Sequence, residues 1–236
     1  MDIETTQARL GLTFNDKTLL QRALTHRSYL NENPDYLLED NERLEFLGDA
    51  VLDFITGEYL YHRFPEKREG ELTSLRSALV RTETLAKFAQ QIGLGRHLYL
   101  GRGEEESGGR NRPALLCGAF EALVGAIYLD QTLSRVTKFI IPLIKPEVKE
   151  ILATQSYRDS KSLFQELAQG WRKITPIYKT IAEAGPDHAK EFIVGAYLDD
   201  ACYGQGSGPN KQQAAQAAAQ AALNRLQSEI QTKGTP

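Results

Sequence analysis

Residues 41–52, NERLEFLGDAVL, constrain this chain most, because acidic residues recur there within an apolar, helix-forming run. Glu42, Glu45 and Asp49 stand at positions i, i+3 and i+7. At about 100° per residue, their side chains project along one stripe of a helix. The spacing therefore predicts a largely apolar helix that carries an acidic stripe.

Such a stripe has two interpretations. It can be the solvated face of an amphipathic helix, which is what spacing alone favours. It can also be a site for a hard divalent cation, since carboxylate oxygens are the ligands that such ions prefer. Apolar residues flank the acids on both sides, so we expect Asp49 in particular to face inward or into a cleft. A buried carboxylate needs a partner, and a metal ion is one.

The composition is that of an ordinary soluble globular protein of one large or two medium domains, with 236 residues, 41% hydrophobic and 25% charged. Residues 1–4 show no basic or apolar leader, and no stretch approaches the roughly 18 apolar residues of a membrane span. We therefore expect a cytoplasmic protein without a membrane partner. Cys117 and Cys202 are too far apart for a recognisable metal motif, so we expect both to be small buried hydrophobes.

Charge and sequence pattern both change near residues 155–159. The net charge of -3 divides into -4 for residues 1–155, with 19 basic and 23 acidic side chains, and +1 for residues 156–236, with 9 and 8. Before the change, apolar residues recur at helical spacing and are separated by Gly and Pro signals, which predicts an all-α domain over residues 1–155. The predicted helices are 16–30, 37–62, 71–92, 113–129 and 134–154.

The remaining chain, residues 156–230, has the pattern of a small α+β domain. A helical segment is followed by three strand-like segments, with a hairpin turn at Asp199 and Asp200. A breaker at residues 206–209 and a capping residue, Asn210, precede a very Ala-rich helix. The predicted order is α-β-β-β-α, with elements at 160–170, 177–183, 191–198, 201–205 and 211–226.

Motifs in both parts resemble bacterial ribonuclease III, in which a nuclease domain precedes a double-stranded-RNA-binding domain. The resemblance covers almost the whole chain, and its most specific element is the run at residues 41–52. The supporting motifs are THRS (25–28), EGELT (69–73), SGGR (107–110), FEALVGAIYLD (120–130), LFQE (163–166), GPDHAK (185–190) and YGQGSG (203–208).

The resemblance implies Mg²⁺-dependent hydrolysis of double-stranded RNA by a symmetric homodimer that processes ribosomal precursors and some messengers. It makes Glu45, Asp49 and Glu121 the metal ligands, with Asp49 and Glu121 the catalytic pair on which hydrolysis depends most. Glu42 and Glu69 occupy positions of auxiliary acids, although both are equally consistent with solvated or salt-bridged side chains.

The chain departs from the family at Gly118, where the family has an acid one helical turn before the residue equivalent to Glu121. Loss of this carboxylate predicts weaker metal affinity and slower turnover. It also leaves open an alternative from another functional class, in which the protein binds duplex RNA without efficient cleavage.

In the second domain, the resemblance implies that Gln165 and Glu166 meet one minor groove of the RNA and that His188 meets the next. Lys211, at the start of the last helix, would face the phosphates between them. The family usually has a lysine pair at this place, whereas here Gln212 follows Lys211.

Two other features are predicted to be structural. His26 invites a role as general base, but we expect it to make a structural hydrogen bond. Residues 120–129 are expected to form core and dimer interface.

Overall fold

The computed structural model describes residues 3–154, 160–186 and 190–233, and the chain divides into two units, Met1–Tyr157 and Arg158–Pro236. The regular elements of the first unit are helices, which confirms the predicted all-α domain. They are α1 (Ile3–Leu10), α2 (Lys17–Ala23), α3 (Arg27–Glu32), α4 (Glu42–Arg63), α5 (Glu69–Val80), α6 (Thr82–Gln91), α7 (Arg102–Glu106), α8 (Pro113–Asp130) and α9 (Leu133–Thr154), with 3₁₀ turns at Leu94–His97 and Gly109–Asn111.

Helix α8 is the central helix of this unit and packs against α2, α4, α6 and α9. Most of its apolar side chains, among them Phe120, Leu123 and Val124, are fully buried. By length and composition alone α8 is apolar enough to cross a membrane, but most of it is buried inside the protein. Its hydrophobicity is therefore that of a core helix.

Helices α4 and α8 cross with their backbones in contact, and two glycines permit this. A Cβ atom at Gly48 would lie 1.7 Å from the carbonyl oxygen of Glu121, and one at Gly125 would lie 2.3 Å from that of Leu44. Glycine inside a helix costs about 1 kcal/mol relative to alanine, so close approach is the gain that offsets this cost. The crossing places the acidic stripe of α4 beside α8.

Two of the predicted helices are interrupted. The segment 16–30 is broken after α2, because Thr25 forms a parallel β-bridge with Tyr99. The segment 71–92 is broken at Arg81, whose extended backbone (φ -68°, ψ 156°) separates α5 from α6. Beyond this break, the Thr84 hydroxyl donates to the carbonyl of Ala78 at 2.8 Å. The first interruption depends on a tertiary contact and the second accompanies a local side-chain hydrogen bond. Helical periodicity reports neither.

The predicted helix 37–62 begins later in the structure, at Glu42. Asn41 immediately before it is buried, and its backbone N–H donates to the carbonyl of Thr25 at 2.9 Å. This contact fixes where the acid-bearing helix starts. Helix α1 was not predicted.

The second unit has the predicted α-β-β-β-α order. Three antiparallel strands, which lie side by side in their chain order, are covered on one face by two helices. Phe164 and Val194 lie in the core between these layers. The elements are α10 (Ser160–Arg172), β1 (Ile177–Ala184), β2 (Glu191–Leu198), β3 (Ala201–Gly208) and α11 (Lys211–Lys233).

The glycines of β3 let the Ala-rich helix lie directly on the sheet. A Cβ atom at Gly204 would lie 2.3 Å from the backbone nitrogen of Ala222, and one at Gly206 would lie 2.2 Å from that of Ala218. The prediction that residues 206–209 are a breaker is therefore wrong for residues 206–208, which belong to β3. Because alternate residues of a strand share a face, a Gly-x-Gly pattern facing an Ala-rich helix gives close packing.

The turn and cap predicted in this unit are confirmed. Residues 199 and 200 form the turn between β2 and β3, and Asp199 has a positive φ of 52°. The Asn210 side chain accepts a hydrogen bond from the backbone nitrogen of Gln213 at 2.9 Å.

Candidate active site

The acids of α4 and α8 line one open cavity of about 610 Å³. Glu45 and Asp49 come from α4 and Glu121 comes from α8, so the crossing of these helices brings the three predicted metal ligands together. Glu42 and the exposed ring of Phe46 complete the lining.

These acids differ from one another in burial. Asp49 is exposed, whereas Glu45 and Glu121 are half-buried. Asp49 therefore faces a cleft and not the interior, which is the second of the two orientations that the sequence predicts. The residue of α4 that faces α8 at this level is Gly48, which turns Asp49 toward the open side of the cavity.

The half-buried carboxyls are destabilised in their charged form. Burial, together with the charges of Asp49 and Glu45, raises the pKa of Glu121 to about 7. Burial also raises the pKa of Glu45, with further contributions from Glu42 and Asp49. A group with such a pKa is stabilised by taking up a proton or by a nearby cation. The electrostatics of the cavity therefore favour cation binding.

Cys117 adjoins this cluster from α8. Its thiol donates to the Glu121 carboxylate across 3.7 Å. Burial, with the neighbouring Glu121 charge, raises the pKa of Cys117 to about 12, so the thiol is neutral near pH 7. It thus acts as a weak donor beside Glu121. Cys117 is buried as predicted, Cys202 is only partly so, and both are free.

Gly118 lies directly beneath the Glu45 side chain. A Cβ atom at Gly118 would lie 2.7 Å from Glu45 Oε2 and 3.0 Å from its Cδ. The space that a side chain at position 118 would enter is therefore taken by a carboxylate from the neighbouring helix.

The donor set suits magnesium. Within the described ranges, no group of three or more His, Cys, Asp or Glu side chains lies close enough together to hold a metal ion outright. The carboxylates thus surround the cavity without forming a closed coordination sphere. Mg²⁺ normally keeps several waters and binds proteins through one or two carboxylates. An open, all-oxygen site of this kind fits a hydrated Mg²⁺.

The structure separates the two auxiliary acids. Glu42 lines the cavity and also accepts a hydrogen bond from Arg27 Nη1 at 3.2 Å. Glu69 is an exposed residue at the start of α5, where it accepts from the hydroxyl of Thr73 at 3.1 Å. It is absent from the described cavity lining.

His26 has the structural role that the sequence predicts. Its Nδ1 accepts from the backbone nitrogen of Ser28 at 3.2 Å and so caps α3. Burial lowers its pKa. In residues 120–129, by contrast, most apolar side chains belong to the core, and Tyr128 and Leu129 are exposed.

Three of the predicted RNA-contacting residues of the second unit lie on its surface. Gln165 and Glu166 are exposed on α10, and Lys211 is the first residue of α11. His188 lies outside the described residues. Lys211 Nζ is 2.7 Å from the carboxylate of Glu183 on β1, a partner that the sequence interpretation missed.

Sequence reasoning also missed Gly48 and Gly125, although a signal for both was available. Each lies inside a segment predicted to be helical, where glycine is unfavourable. Close backbone approach is one reason for a glycine in such a place, and at these two positions it positions the acids.

Comparisons with known proteins agree with both units. Residues 16–148 match the family described as Ribonuclease-III-like, and residues 160–226 match the double-stranded RNA binding motif. The chain is 47% identical over 227 residues to Ribonuclease 3 of Roseiflexus sp., covering 95% of this chain and 96% of that protein. It is 45% identical to Ribonuclease 3 of Enterococcus faecalis, covering 92% and 94%.

A solved structure is similar to the first unit. It is the nuclease domain of ribonuclease III from Campylobacter jejuni, described as flexible in a region involved in dimer formation. The TM-score is 0.56 at 41% identity, and the match covers 61% of this chain and 97% of that domain.

The helical fold, the acidic cavity and the appended RNA-binding fold define a nuclease of structured RNA, and the chain belongs to the ribonuclease III family. It is an endoribonuclease specific for double-stranded RNA. The comparisons give no specific support to the alternative of a binding protein that does not cleave.

Proposed function

We propose that this endoribonuclease hydrolyses duplex RNA with Mg²⁺ held by Glu45, Asp49 and Glu121. The observation that carries the proposal is the meeting of these carboxylates at one cavity, where the pKa of Glu121 rises to about 7. Carboxylates that repel one another on rigid helices lower their energy by binding a divalent cation. Glu42 assists from the rim of the cavity, and Glu69 acts as an outer acid.

In the reaction, water attacks phosphorus in line with the departing 3′ oxygen. The new P–O bond leaves a 5′-phosphate on one fragment, and the departing oxygen takes up a proton to become a 3′-hydroxyl. When bound, Mg²⁺ supplies positive charge to the transition state and makes water a better nucleophile. Asp49 and Glu121 are the two carboxylates that position the reacting groups. Their helices meet at Gly48, so their separation is fixed by backbone contact.

The second domain would supply most of the binding affinity for the substrate. A-form RNA exposes its 2′-hydroxyls in a shallow minor groove, so the duplex is recognised by shape. Gln165 and Glu166 meet one minor groove, His188 meets the next, and Lys211 contacts the phosphates between them. The nuclease domain spans residues 1–155 in this proposal, and the RNA-binding domain spans residues 156–230.

We further propose that the active enzyme is a homodimer. Phe46 and Phe54 on α4 are 81% and 56% exposed, which is unusual for phenylalanine, and Leu129 at the end of α8 is 53% exposed. An exposed apolar surface of this kind marks an interaction site. The Campylobacter nuclease domain is described with a region involved in dimer formation, which supports a homodimer here.

The proposed cellular role rests on the resemblance to ribonuclease III. The enzyme acts in the cytoplasm on precursors of ribosomal RNA and on structured messengers, where long duplexes occur.

A cleavage assay on a long duplex tests the proposal. The enzyme should cut duplex RNA when Mg²⁺ is added and leave single-stranded RNA and duplex DNA intact. Cleavage that continues in excess EDTA would overturn the assignment of the metal.

A further inference from the structure

The ammonium group of Lys211 is already ion-paired within its own domain. Its Nζ is 2.7 Å from Glu183 Oε1, and Lys190 Nζ is 3.8 Å from Glu183 Oε2. One carboxylate therefore serves two lysines. The three side chains come from α11, β1 and the residue just before β2.

This cluster lies on one defined face of the sheet. Glu183 is the cross-strand partner of Phe192, so their side chains point to the same side. The Lys211 ammonium lies 5.4 Å from the centre of the Phe192 ring, which places it on that side as well. Lys211 is also the first residue of a long helix, and the positive end of a helix dipole attracts phosphate. Glu183 is thus an anion at the place where an RNA phosphate is expected.

We propose that Glu183 acts as an internal competitor of the RNA phosphate and limits the affinity of the second domain for duplex RNA. The inference rests on the proposed contact of Lys211 with phosphate. To make that contact, Lys211 must either give up Glu183 or hold a phosphate beside a carboxylate of the same charge. In either case, the affinity for duplex RNA is lower than it would be without Glu183.

The local charges support this competition. The hydrogen bond from Lys211, together with the charges of Lys211 and Lys190, holds the pKa of Glu183 below its usual value. The carboxylate is therefore fully charged at neutral pH. The ion pair is also open to water, with Lys211 61% and Glu183 36% exposed. Exposed ion pairs are weak, so an RNA phosphate can displace this one at a cost in affinity.

Competition also affects the salt dependence. Each phosphate that a lysine neutralises adds close to one unit to the slope of log K against log salt. A lysine that remains partly paired with Glu183 contributes less than this. Removing the carboxylate should therefore increase both the affinity and the slope.

The test is duplex binding by the full-length protein in EDTA, which prevents cleavage. The probe is an RNA duplex of about 20 base pairs, slightly longer than the roughly 16 base pairs that such a domain covers. Glu183→Gln keeps the size of the side chain and removes its charge. We expect about fivefold tighter binding at moderate salt, in keeping with release of an exposed ion pair, and a slope greater by about one unit.

Glu191→Gln is the matched control. Glu191 is an exposed acid on β2 beside Lys190, and it pairs with Ala184, so it points to the opposite face of the sheet. Glu191→Gln removes the same charge. We expect the affinity for duplex RNA to change less than about twofold, because Glu191 lies on the face of the sheet opposite Lys211 and its field there is screened by solvent. An equal gain in both variants would overturn the proposal, because net charge alone would then explain it.

The double variant Glu183→Gln with Lys211→Ala tests whether the gain in affinity depends on Lys211. Most of the gain should disappear in this background, since Lys211 is the nearer partner. A gain that persists in full, or a loss of affinity in Glu183→Gln alone, would overturn the proposal. Lys211→Ala alone separates the two claims. If it leaves binding unchanged, the phosphate contact of Lys211 is wrong, whereas weaker binding without a gain in Glu183→Gln contradicts only the role of Glu183.

Discussion

The carboxylate of Glu45 fills the space above Gly118, with Oε2 2.7 Å from the point where a side chain at position 118 would begin. The place of an acid at position 118 of α8 is therefore occupied by an acid from α4. The contact involves the flexible end of Glu45, so the two positions are coupled without being rigidly locked.

We expect Gly118→Asp to accelerate cleavage when Mg²⁺ is scarce. The added carboxylate lies one helical turn from Glu121, and it displaces only the end of Glu45. The gain should be at least about tenfold, which corresponds to about 1.4 kcal/mol of transition-state stabilisation. Duplex binding in EDTA should change far less.

Gly118→Ala is the control, because it displaces Glu45 without adding a ligand. We expect it to cleave no faster than the parent and to bind Mg²⁺ more weakly. If Gly118→Asp leaves the rate and the Mg²⁺ dependence unchanged, Glu45 already compensates fully for the missing acid.

Gly48→Ala tests the crossing that assembles the site. Its Cβ would lie 1.7 Å from the carbonyl oxygen of Glu121, so the helices must separate. Overpacking of this kind costs about 1–3 kcal/mol or more of unfolding free energy. Gly57→Ala in the same helix has no neighbour nearer than 3.9 Å, and should instead stabilise by about 0.5–1 kcal/mol. Urea unfolding measures both, and equal effects would contradict the close crossing.

The pKa of Glu121 predicts a pH-dependent affinity for Mg²⁺. Because the pKa is raised to about 7, the carboxyl of the metal-free protein is largely protonated below pH 7 and ionised above it. A cation must displace this proton, so affinity should fall as the pH drops below 7, by up to about tenfold per unit. Calorimetry between about pH 5.5 and about pH 8 covers both sides of the titration.

Glu121→Gln removes the titrating group and should flatten this dependence as well as weaken binding. An unchanged dependence in the variant would assign the titration to another residue.

Phe46→Asp should convert the protein to monomers. Phe46 is 81% exposed, and burial of a phenylalanine side chain contributes about 1.5–3 kcal/mol, twice over in a symmetric pair. Leu37→Asp is the control, because Leu37 is 96% exposed but precedes α4. Sedimentation at micromolar concentration should show monomers for the first variant and dimers for the second. Dimers in both would place the interface elsewhere.

Local periodicity was sufficient to predict the helical first domain, the acidic stripe and the order of the second domain. It could not predict the interruption at Thr25, because that depends on a contact with Tyr99 far along the chain. It left open whether Asp49 faces inward or into a cleft, because that depends on the direction from which α8 crosses α4. The ion pair between Glu183 and Lys211 likewise joins two elements that only the folded domain brings together.

The central claim is that the cavity acids hold the metal for hydrolysis, and cleavage of duplex RNA under limiting Mg²⁺ by three variants tests it most directly. Asp49→Asn and Glu121→Gln should each reduce cleavage at least about 100-fold, since a lost ligand costs several kcal/mol in the transition state. Their duplex binding in EDTA should match that of the parent. Asp53→Asn, one turn along α4 and facing Arg76 at 3.8 Å, should cleave normally. Full activity of Asp49→Asn or Glu121→Gln in this assay would contradict the proposed metal site.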